Sequence, residues 1–273
     1  MNYKVVNVIA LGQDLKETII SLLAEEGYES FWELDSGLKA FIKKEIFDQD
    51  LLQSILSPFN HVSFEVQDLE EVNWNEKWES EFTHFEVSNH CLVMVPDYTP
   101  IKKYDYQLII EPDMTFGTGH HPTTNMILNH ILDIEILNKD ILDAGSGTGV
   151  LAILAKKRGA KFVYAYDIDT RSVQNIHTNM GHNNVVFETE VGTITSISPS
   201  VKKYDIVFAN INKNILLHDI PYYSTYVKEN GYLVISGFLK DDAEDLIAHA
   251  TGFEVSKRIN EEEWACLVLT KQD

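Results

Sequence analysis

The sequence predicts an α/β protein, with a doubly wound parallel sheet over its C-terminal part and a small α+β domain ahead of it. Two observations support this expectation. Apolar strands and amphipathic helices alternate over roughly 130 residues from Lys139 onward, which is typical of a doubly wound sheet. The first 70 residues have a different order, in which two of the four strands follow each other directly.

The N-terminal domain is predicted to span residues 1–70. Apolar spacing places strands and helices at Val5–Ile9, Asp14–Glu26, Glu29–Leu34, Leu38–Lys43, Gln49–Leu56 and Val62–Val66. This order is typical of a ferredoxin-like domain. RNA-recognition domains share it, but they carry a Lys/Arg-Gly-aromatic signature that the segment LKAFIKK lacks. With 13 acidic and 5 basic residues, the domain is better suited to docking a protein substrate.

A linker helix is predicted over residues 71–86. Trp74, Trp78 and Phe82 recur at i, i+4 and i+8 and therefore share one face of a helix. Residues 87–273 would then form the second domain, which opens with strands at Cys91–Val95 and Gln107–Ile110.

Composition narrows the setting in which the protein acts. Of the 273 residues, 42 are acidic and 22 basic, for a net charge of −20. Such a surface repels nucleic-acid phosphates and suits a basic protein partner, although acidity also serves solubility. Cys91 and Cys266 indicate free thiols in a reducing compartment. The chain opens without a signal-peptide pattern, and no apolar run approaches the roughly 20 residues of a membrane span. We therefore expect a cytoplasmic protein without a membrane partner.

The stretch Lys139–Thr170 carries the main binding motif. An apolar strand reaches Asp143 and is followed by the glycine loop Gly145–Gly149, a helix, and a second strand that ends at Asp167. Glycines let a ligand approach the backbone closely, and a carboxylate about 20 residues beyond the first glycine can bind ribose. In parallel α/β sheets, ligands bind outside the carboxyl ends of the strands. The stretch therefore predicts a nucleoside site.

The glycine spacing discriminates among nucleotides. A dinucleotide site needs G-x-G-x-x-G/A, and Val150 occupies the last position, so NAD(P) is the second choice. No Gly-Lys-Ser/Thr ending indicates a P-loop. A metal site at His120 and His121 is disfavoured, because adjacent side chains diverge and no ligand cluster accompanies them. A single nucleoside with a ribose fits best.

Further elements extend the predicted sheet. A helix is expected from Pro122 to Leu137, and another over Asp219–Lys228; strands are expected at Val185–Glu188, at Tyr204–Ala209 just before Asn210, at Phe253–Ile259 and at Ala265–Leu269. Because no helix separates the last two strands, they should pair antiparallel.

Several motifs resemble one family. DAGSGTG and YAYDID resemble motifs I and II of S-adenosylmethionine-dependent methyltransferases with a seven-stranded sheet. The segments NWNEKWESEF, FGTGHHPTT, ANINKNIL and EEEWACLVL resemble the PrmA family, which methylates the eleventh protein of the large ribosomal subunit. The likeness runs from about Asn73 to the C terminus and implies a doubly wound seven-stranded methyltransferase sheet behind the ferredoxin-like domain.

The resemblance implies S-adenosyl-L-methionine as cofactor, bound by Thr124, Gly145, Asp167 and Asn210. These residue types suit the task. Gly145 and Gly147 admit the methionine and ribose portions to the backbone, and Asp167 can accept both ribose hydroxyl protons. Thr124 can hydrogen-bond the amino-acid end from a helix N-terminus. Asn210 offers one acceptor and two donors to the cofactor or an incoming amine, and it is the candidate catalytic residue.

The family implies methylation of lysine amines, and of the N-terminal amine, on a basic ribosomal protein that is free or on the ribosome. No metal and no sequence-specific nucleic acid are expected. Two alternatives stay open: a nucleic-acid base aminomethylase, which favours Asn/Asp-Pro-Pro-aromatic after this strand, and a non-catalytic nucleoside-binding scaffold. Departures from the family pattern at His120 and over residues 211–214 lie on the expected substrate-facing rim.

Overall fold

The computed structural model describes residues 3–9, 13–28, 30–34, 37–59, 62–68, 83–112, 121–199 and 203–272. The chain divides into two compact units, Met1–Trp74 and Asn75–Asp273. Within the described ranges, no helix is long and apolar enough to cross a membrane. His120 and the aromatic residues of the predicted linker, Trp74, Trp78 and Phe82, lie outside the described residues.

The first unit is a four-stranded antiparallel sheet with two helices. Its elements are β1 (Tyr3–Ile9), α1 (Gln13–Glu25), β2 (Ser30–Leu34), β3 (Gly37–Lys43), α2 (Gln49–Leu56) and β4 (Ser63–Asp68). The strand order is β2-β3-β1-β4, and β1 pairs antiparallel with both β3 and β4. Alternate residues of β1, including Val6 and Val8, enter one core with Leu23 and Leu52 of the helices. The element bounds agree with the predicted ones to within a residue or two.

The second unit contains a three-stranded sheet followed by a seven-stranded one. Its elements are β5 (His84–Ser88), β6 (Cys91–Met94), β7 (Tyr106–Ile109), α3 (Pro122–Asp133), β8 (Asp140–Ala144), α4 (Val150–Lys157), β9 (Phe162–Asp167), α5 (Thr170–Asn183), β10 (Glu188–Val191), β11 (Tyr204–Asn210), α6 (Lys213–Tyr226), β12 (Val227–Leu239), α7 (Ala243–His249), β13 (Phe253–Glu261) and β14 (Trp264–Lys271). The small sheet has the order β5-β6-β7, and the large one β10-β9-β8-β11-β12-β14-β13.

The large sheet confirms the predicted doubly wound, seven-stranded architecture. The first five strands in the sheet order, β10-β9-β8-β11-β12, run parallel to one another. Strand β14 lies between β12 and β13 and runs antiparallel to both. Both faces are covered: Ile141 and Leu142 are adjacent in β8, yet each is fully buried in a different core. Burial on both faces explains why these strands read as continuous apolar runs. The chain order reverses between β8 and β11, where α/β proteins bind ligands.

Two predicted elements of the second unit have wrong starting points. Helix α6 begins at Lys213 rather than Asp219, because the side chain of Asn212 accepts a hydrogen bond from Ile215 N (3.2 Å) and caps the helix. Strand β10 begins at Glu188, where the predicted strand ends. The apolar residue Phe187 that suggested the earlier strand packs partly buried against the core instead.

Two further predictions are corrected. Helix α3 ends at Asp133 rather than Leu137. At this observed end, the Arg158 guanidinium donates to the carbonyls of Ile131 and Ile134. The predicted linker helix over residues 71–86 overlaps strand β5 at its end, because residues 84–88 pair antiparallel with β6 in the small sheet.

Gly237 lies at an irregularity in the pairing of β12 with β14 and has a φ of 95°. A Cβ at this position would meet the backbone oxygen of Ile211 at 2.5 Å. We expect Gly237→Ala to lower the free energy of unfolding by about 1–3 kcal/mol, because both the left-handed φ and the backbone approach oppose a side chain. Urea denaturation measures the effect.

Gly181 is the matched control for that substitution. It lies within α5, and a Cβ there would meet nothing within 4 Å. Gly181→Ala should therefore stabilise the protein by roughly 0.5–1 kcal/mol through helix propensity. Equal effects of the two substitutions would show that the close approach at Gly237 does not govern its stability.

Candidate active site

A cavity of about 520 Å³ lies at the carboxyl edge of the large sheet, beside the point where the chain order reverses. Four of the five residues predicted to bind the cofactor are on its wall: Gly145, Gly147, Asp167 and Asn210. They come from the ends of three neighbouring strands, β8, β9 and β11, because parallel strands present their carboxyl ends at one edge.

The glycine loop after β8 adopts a left-handed backbone that other residues rarely take. Gly145, Gly147 and Gly149 have φ values of 63°, 51° and 79°. A Cβ on Gly145 would come within 3.0 Å of the Ile211 side chain. The loop is tied to β9 by Ser146 N, which donates to the carbonyl of Tyr166 (3.0 Å). The glycines thus keep this side of the cavity open to a ligand.

Asp167 is held by backbone groups on both carboxylate oxygens. Gly147 N donates to Oδ2 and Asp169 N donates to Oδ1, each at 2.9 Å. A carboxylate has about four acceptor sites, so each oxygen can accept a further hydrogen bond. The glycine loop therefore orients Asp167 for a bidentate contact with a pair of adjacent hydroxyl groups, as a ribose provides.

Asn210, at the end of β11, is oriented by Thr124. Its Nδ2 donates to the Thr124 hydroxyl oxygen at 2.9 Å. Its Oδ1 is buried and has no hydrogen-bond partner among the described residues. A buried acceptor without a partner is costly in a finished fold and is typical of a group that meets a ligand.

Thr124 lies next to the cavity wall rather than on it. It is only 1% exposed, and its neighbour Thr123, rather than Thr124, is on the cavity wall. The structure thus brings Thr124 to the site behind Asn210, with its hydroxyl engaged by the amide. A direct contact between Thr124 and the amino-acid end of the cofactor stays a prediction.

His121 and Trp264 close another side of the cavity. His121 caps α3, with its side chain accepting from Thr123 N, and its ring meets that of Trp264 edge-on at 4.8 Å. In the part of the chain that the structure describes, no three His, Cys, Asp or Glu side chains form a group suited to a metal. His121 thus begins the helix, packs against the aromatic ring and contributes to the cavity wall.

Sequence reasoning missed several residues of the wall. Trp264 was seen only as part of a motif, and Ser172, Thr193, Ile215 and Asp219 were not singled out. Thr193 lies two residues beyond the end of β10, so the rule that strand ends bind ligands would have found it if the strand had been placed correctly. Ser172, Ile215 and Asp219 lie on helices, and Trp264 begins the last strand. No local sequence pattern indicates that these residues reach the cavity.

The charge of the cavity suits a cation. Among the described residues that line it, two are carboxylates, Asp167 and Asp219, and none is lysine or arginine. A sulfonium cofactor and an alkylamine substrate are both cations, and carboxylates in a site of low polarity favour them. The volume, the ribose-directed carboxylate and the partnerless Asn210 oxygen together fit a nucleoside that carries a positively charged methyl donor.

Asp143, at the end of β8, is a buried carboxyl group behind the glycine loop. It is 1% exposed, and desolvation raises its pKa to about 7, although a hydrogen bond from Ala152 N opposes the shift. The unfolded carboxyl loses its proton near pH 3.9. The free energy of unfolding should therefore fall as pH rises between about 4 and 7, with a slope near 1.4 kcal/mol per pH unit from this group.

Asp143→Asn should remove that slope, because the amide does not ionise. Urea denaturation of both proteins at intervals from pH 4.5 to 7.5 measures the difference. As pH falls below about 7, the free energy of unfolding of the wild type should rise relative to that of Asp143→Asn. Above about pH 7, the difference between the two proteins should be constant. Parallel curves over the whole range would contradict a neutral, buried Asp143.

The fold and the site define a methyltransferase of the seven-stranded α/β class, with a glycine loop after β8 and a carboxylate at the end of β9. Comparison with known proteins specifies the family. The profile of the PrmA family, described as ribosomal protein L11 methyltransferase, matches residues 8–272. The chain belongs to this family, whose cofactor is S-adenosyl-L-methionine.

Individual relatives agree with this assignment. The ribosomal protein L11 methyltransferase of Phocaeicola vulgatus is 33% identical over 263 residues, or 93% of each chain. That of Bacteroides fragilis is 35% identical over 239 residues, 84% of each chain. A crystal structure of ribosomal protein L11 methylase from Lactobacillus delbrueckii subsp. bulgaricus aligns with a TM-score of 0.64 and 26% identity, over 70% of this chain and all of that one.

Proposed function

We propose that this protein transfers methyl groups from S-adenosyl-L-methionine to lysine amines, and to the N-terminal amine, of ribosomal protein L11. The observation that carries the proposal is the family match over residues 8–272, joined to a cavity that both Asp167 and Asn210 line. The relatives that cover 84–93% of this chain carry the same L11 methyltransferase name.

Asn210 would orient the attacking amine. The bound cofactor supplies an electrophilic methyl group on a sulfonium. Asn210 Oδ1 can accept a hydrogen bond from the amine nitrogen and so aim its lone pair, while Thr124 fixes the amide through Nδ2. The amine must be neutral, which costs about 4 kcal/mol near pH 7.4 for a lysine of ordinary pKa. Orientation in a closed site is worth about 7–11 kcal/mol and outweighs that cost.

Asp167 and the glycine loop would hold the cofactor during this step. Asp167 receives the ribose hydroxyls, and Gly145 and Gly147 admit the methionine portion against the backbone. The carboxylates of the wall favour the cationic amine and cofactor over neutral competitors. The amine's proton leaves to solvent before the attack, so Asn210 acts as a positioning acceptor and needs no basicity.

The first unit would recognise the protein substrate. Its antiparallel order β2-β3-β1-β4 with two helices agrees with a ferredoxin-like domain, here assigned to residues 1–70, ahead of a linker and of the methyltransferase domain at 87–273. Its excess of acidic residues over basic ones complements a basic ribosomal protein. Two buried free thiols, Cys91 and Cys266, are compatible with a cytoplasmic reaction.

Labelled S-adenosyl-L-methionine tests the proposal. The purified protein is incubated with free L11, with large ribosomal subunits and with ribosomal RNA, and mass spectrometry locates the methyl groups. Label on L11 amines is the expected result. Label in ribosomal RNA alone would identify a base aminomethylase, and cofactor binding without label in any substrate would identify a scaffold.

A further inference from the structure

Asp219 is a buried carboxylate on the cavity wall to which the proposed methyl transfer assigns no specific hydrogen bond. It lies on α6 and is 7% exposed. His218 Nδ1 is 2.7 Å from its Oδ1, and the Tyr223 hydroxyl donates to its Oδ2 at 3.3 Å. Burying a carboxylate is costly unless donors surround it. Each oxygen retains an acceptor site, so a ligand in the cavity can supply another donor.

Two isoleucines line the same cavity as Asp219. Ile168 directly follows Asp167 and is 74% exposed, and Ile215 is 44% exposed although both line the cavity. Ile215 precedes Asp219 by one helical turn, so the two side chains share one face of α6. Exposed apolar side chains beside a ribose-directed carboxylate suit the flat face of a nucleobase.

A chain of side-chain contacts connects Asp219 with the strand that ends at Asp167. Its partner Tyr223 also contacts the hydroxyl of Tyr166 at 3.4 Å, and Tyr166 precedes Asp167 in β9. These contacts connect Asp219, through Tyr223 and Tyr166, with the strand end that carries Asp167.

We propose that Asp219 accepts a hydrogen bond from the exocyclic 6-amino group of the cofactor's adenine and thereby selects a 6-aminopurine over a 6-oxopurine. An ionised carboxylate is only an acceptor, so an amino group satisfies it, whereas a carbonyl oxygen at the same place is repelled. The proposal rests on the identity of the cofactor and is independent of which protein is methylated.

The test compares two product nucleosides, S-adenosylhomocysteine and S-inosylhomocysteine, which differ at the 6-position. Isothermal titration calorimetry on the full chain should show that the wild type prefers the 6-amino compound by on the order of 10²-fold. Asp219→Asn can donate to a 6-oxo group, so it should weaken the 6-amino compound about tenfold and bring the preference to within a few-fold.

Asp241→Asn is the matched control, since it makes the same change on an exposed carboxylate that does not line the cavity, and it should keep the wild-type preference. Equal affinity of the wild type for the two nucleosides would overturn the proposal without any variant. Equal loss of both affinities in Asp219→Asn would assign Asp219 to the fold alone. Unchanged affinities with a raised KM for L11 would assign it to the substrate amine.

Discussion

Replacing Asn210 by alanine is expected to lower kcat/KM for methyl transfer to L11 by at least about 10²-fold. In the proposed mechanism the buried amide oxygen orients the amine, and loss of orientation in a near-attack geometry costs on the order of 10² in rate. The effect should fall mainly on kcat under saturating cofactor, because the glycine loop and Asp167 still bind the nucleoside. Initial rates with labelled cofactor and free L11 measure it.

Asn260→Ala provides the matched control, because Asn260 is exposed in β13 and does not line the cavity. It should turn over at the wild-type rate. Wild-type turnover by Asn210→Ala itself, with both proteins equally folded by circular dichroism, would eliminate the amide from the reaction.

Thr124→Val separates the two roles that remain for Thr124. If its hydroxyl acts by holding the Asn210 amide, as the 2.9 Å contact indicates, the variant should lose kcat and keep its affinity for S-adenosylhomocysteine. If Thr124 contacts the amino-acid end of the cofactor, affinity should fall about tenfold, as expected for one lost hydrogen bond of about 1–1.5 kcal/mol.

Asp167→Ala is expected to weaken the binding of S-adenosylhomocysteine by about 10²-fold. Two hydrogen bonds from the ribose hydroxyls to a carboxylate, each worth about 1.5 kcal/mol or more, give about 3 kcal/mol. The variant also removes the acceptors of Gly147 N and Asp169 N, so the glycine loop loses part of its support. Calorimetric titration measures the affinity directly and does not depend on the methyl acceptor.

Asp169→Asn is the control for the ribose carboxylate. The Asp169 side chain caps α5 through Arg171 N, and asparagine can make the same cap. Affinity within about twofold of the wild type is expected, since no direct contact with the nucleoside is proposed for it. An Asp167→Ala variant that bound as tightly as this control would remove Asp167 from the ribose site.

The elements that sequence patterns predicted well are the ones whose cause is local. The strand–glycine loop–helix–strand unit from Asp140 to Asp167 was placed correctly, because its apolar runs, glycines and final carboxylate lie within one supersecondary unit. The start of β10 was misplaced because the apolar side chain of Phe187 packs against the core from outside the strand. The start of α6 was misplaced because the helix that Asn212 caps begins with polar residues.

The site was predicted in part for the same reason. Gly145, Gly147 and Asp167 follow from one contiguous motif, and the family resemblance added Asn210. The contact between Asn210 and Thr124 joins positions 86 residues apart, and neither residue's pattern indicates that one holds the other.

The sequence by itself determined the α/β fold class, the order of most strands and helices, the carboxylate at the end of β9 and the family. These depend on apolar periodicity, glycine spacing and short motifs, all of which act within a few turns of the chain. Only the tertiary structure decided that Thr124 lies behind Asn210 and that Trp264 and Asp219 reach the cavity. Such contacts form when the sheet brings distant segments to one edge, and their energy depends on burial and partners that no local pattern encodes.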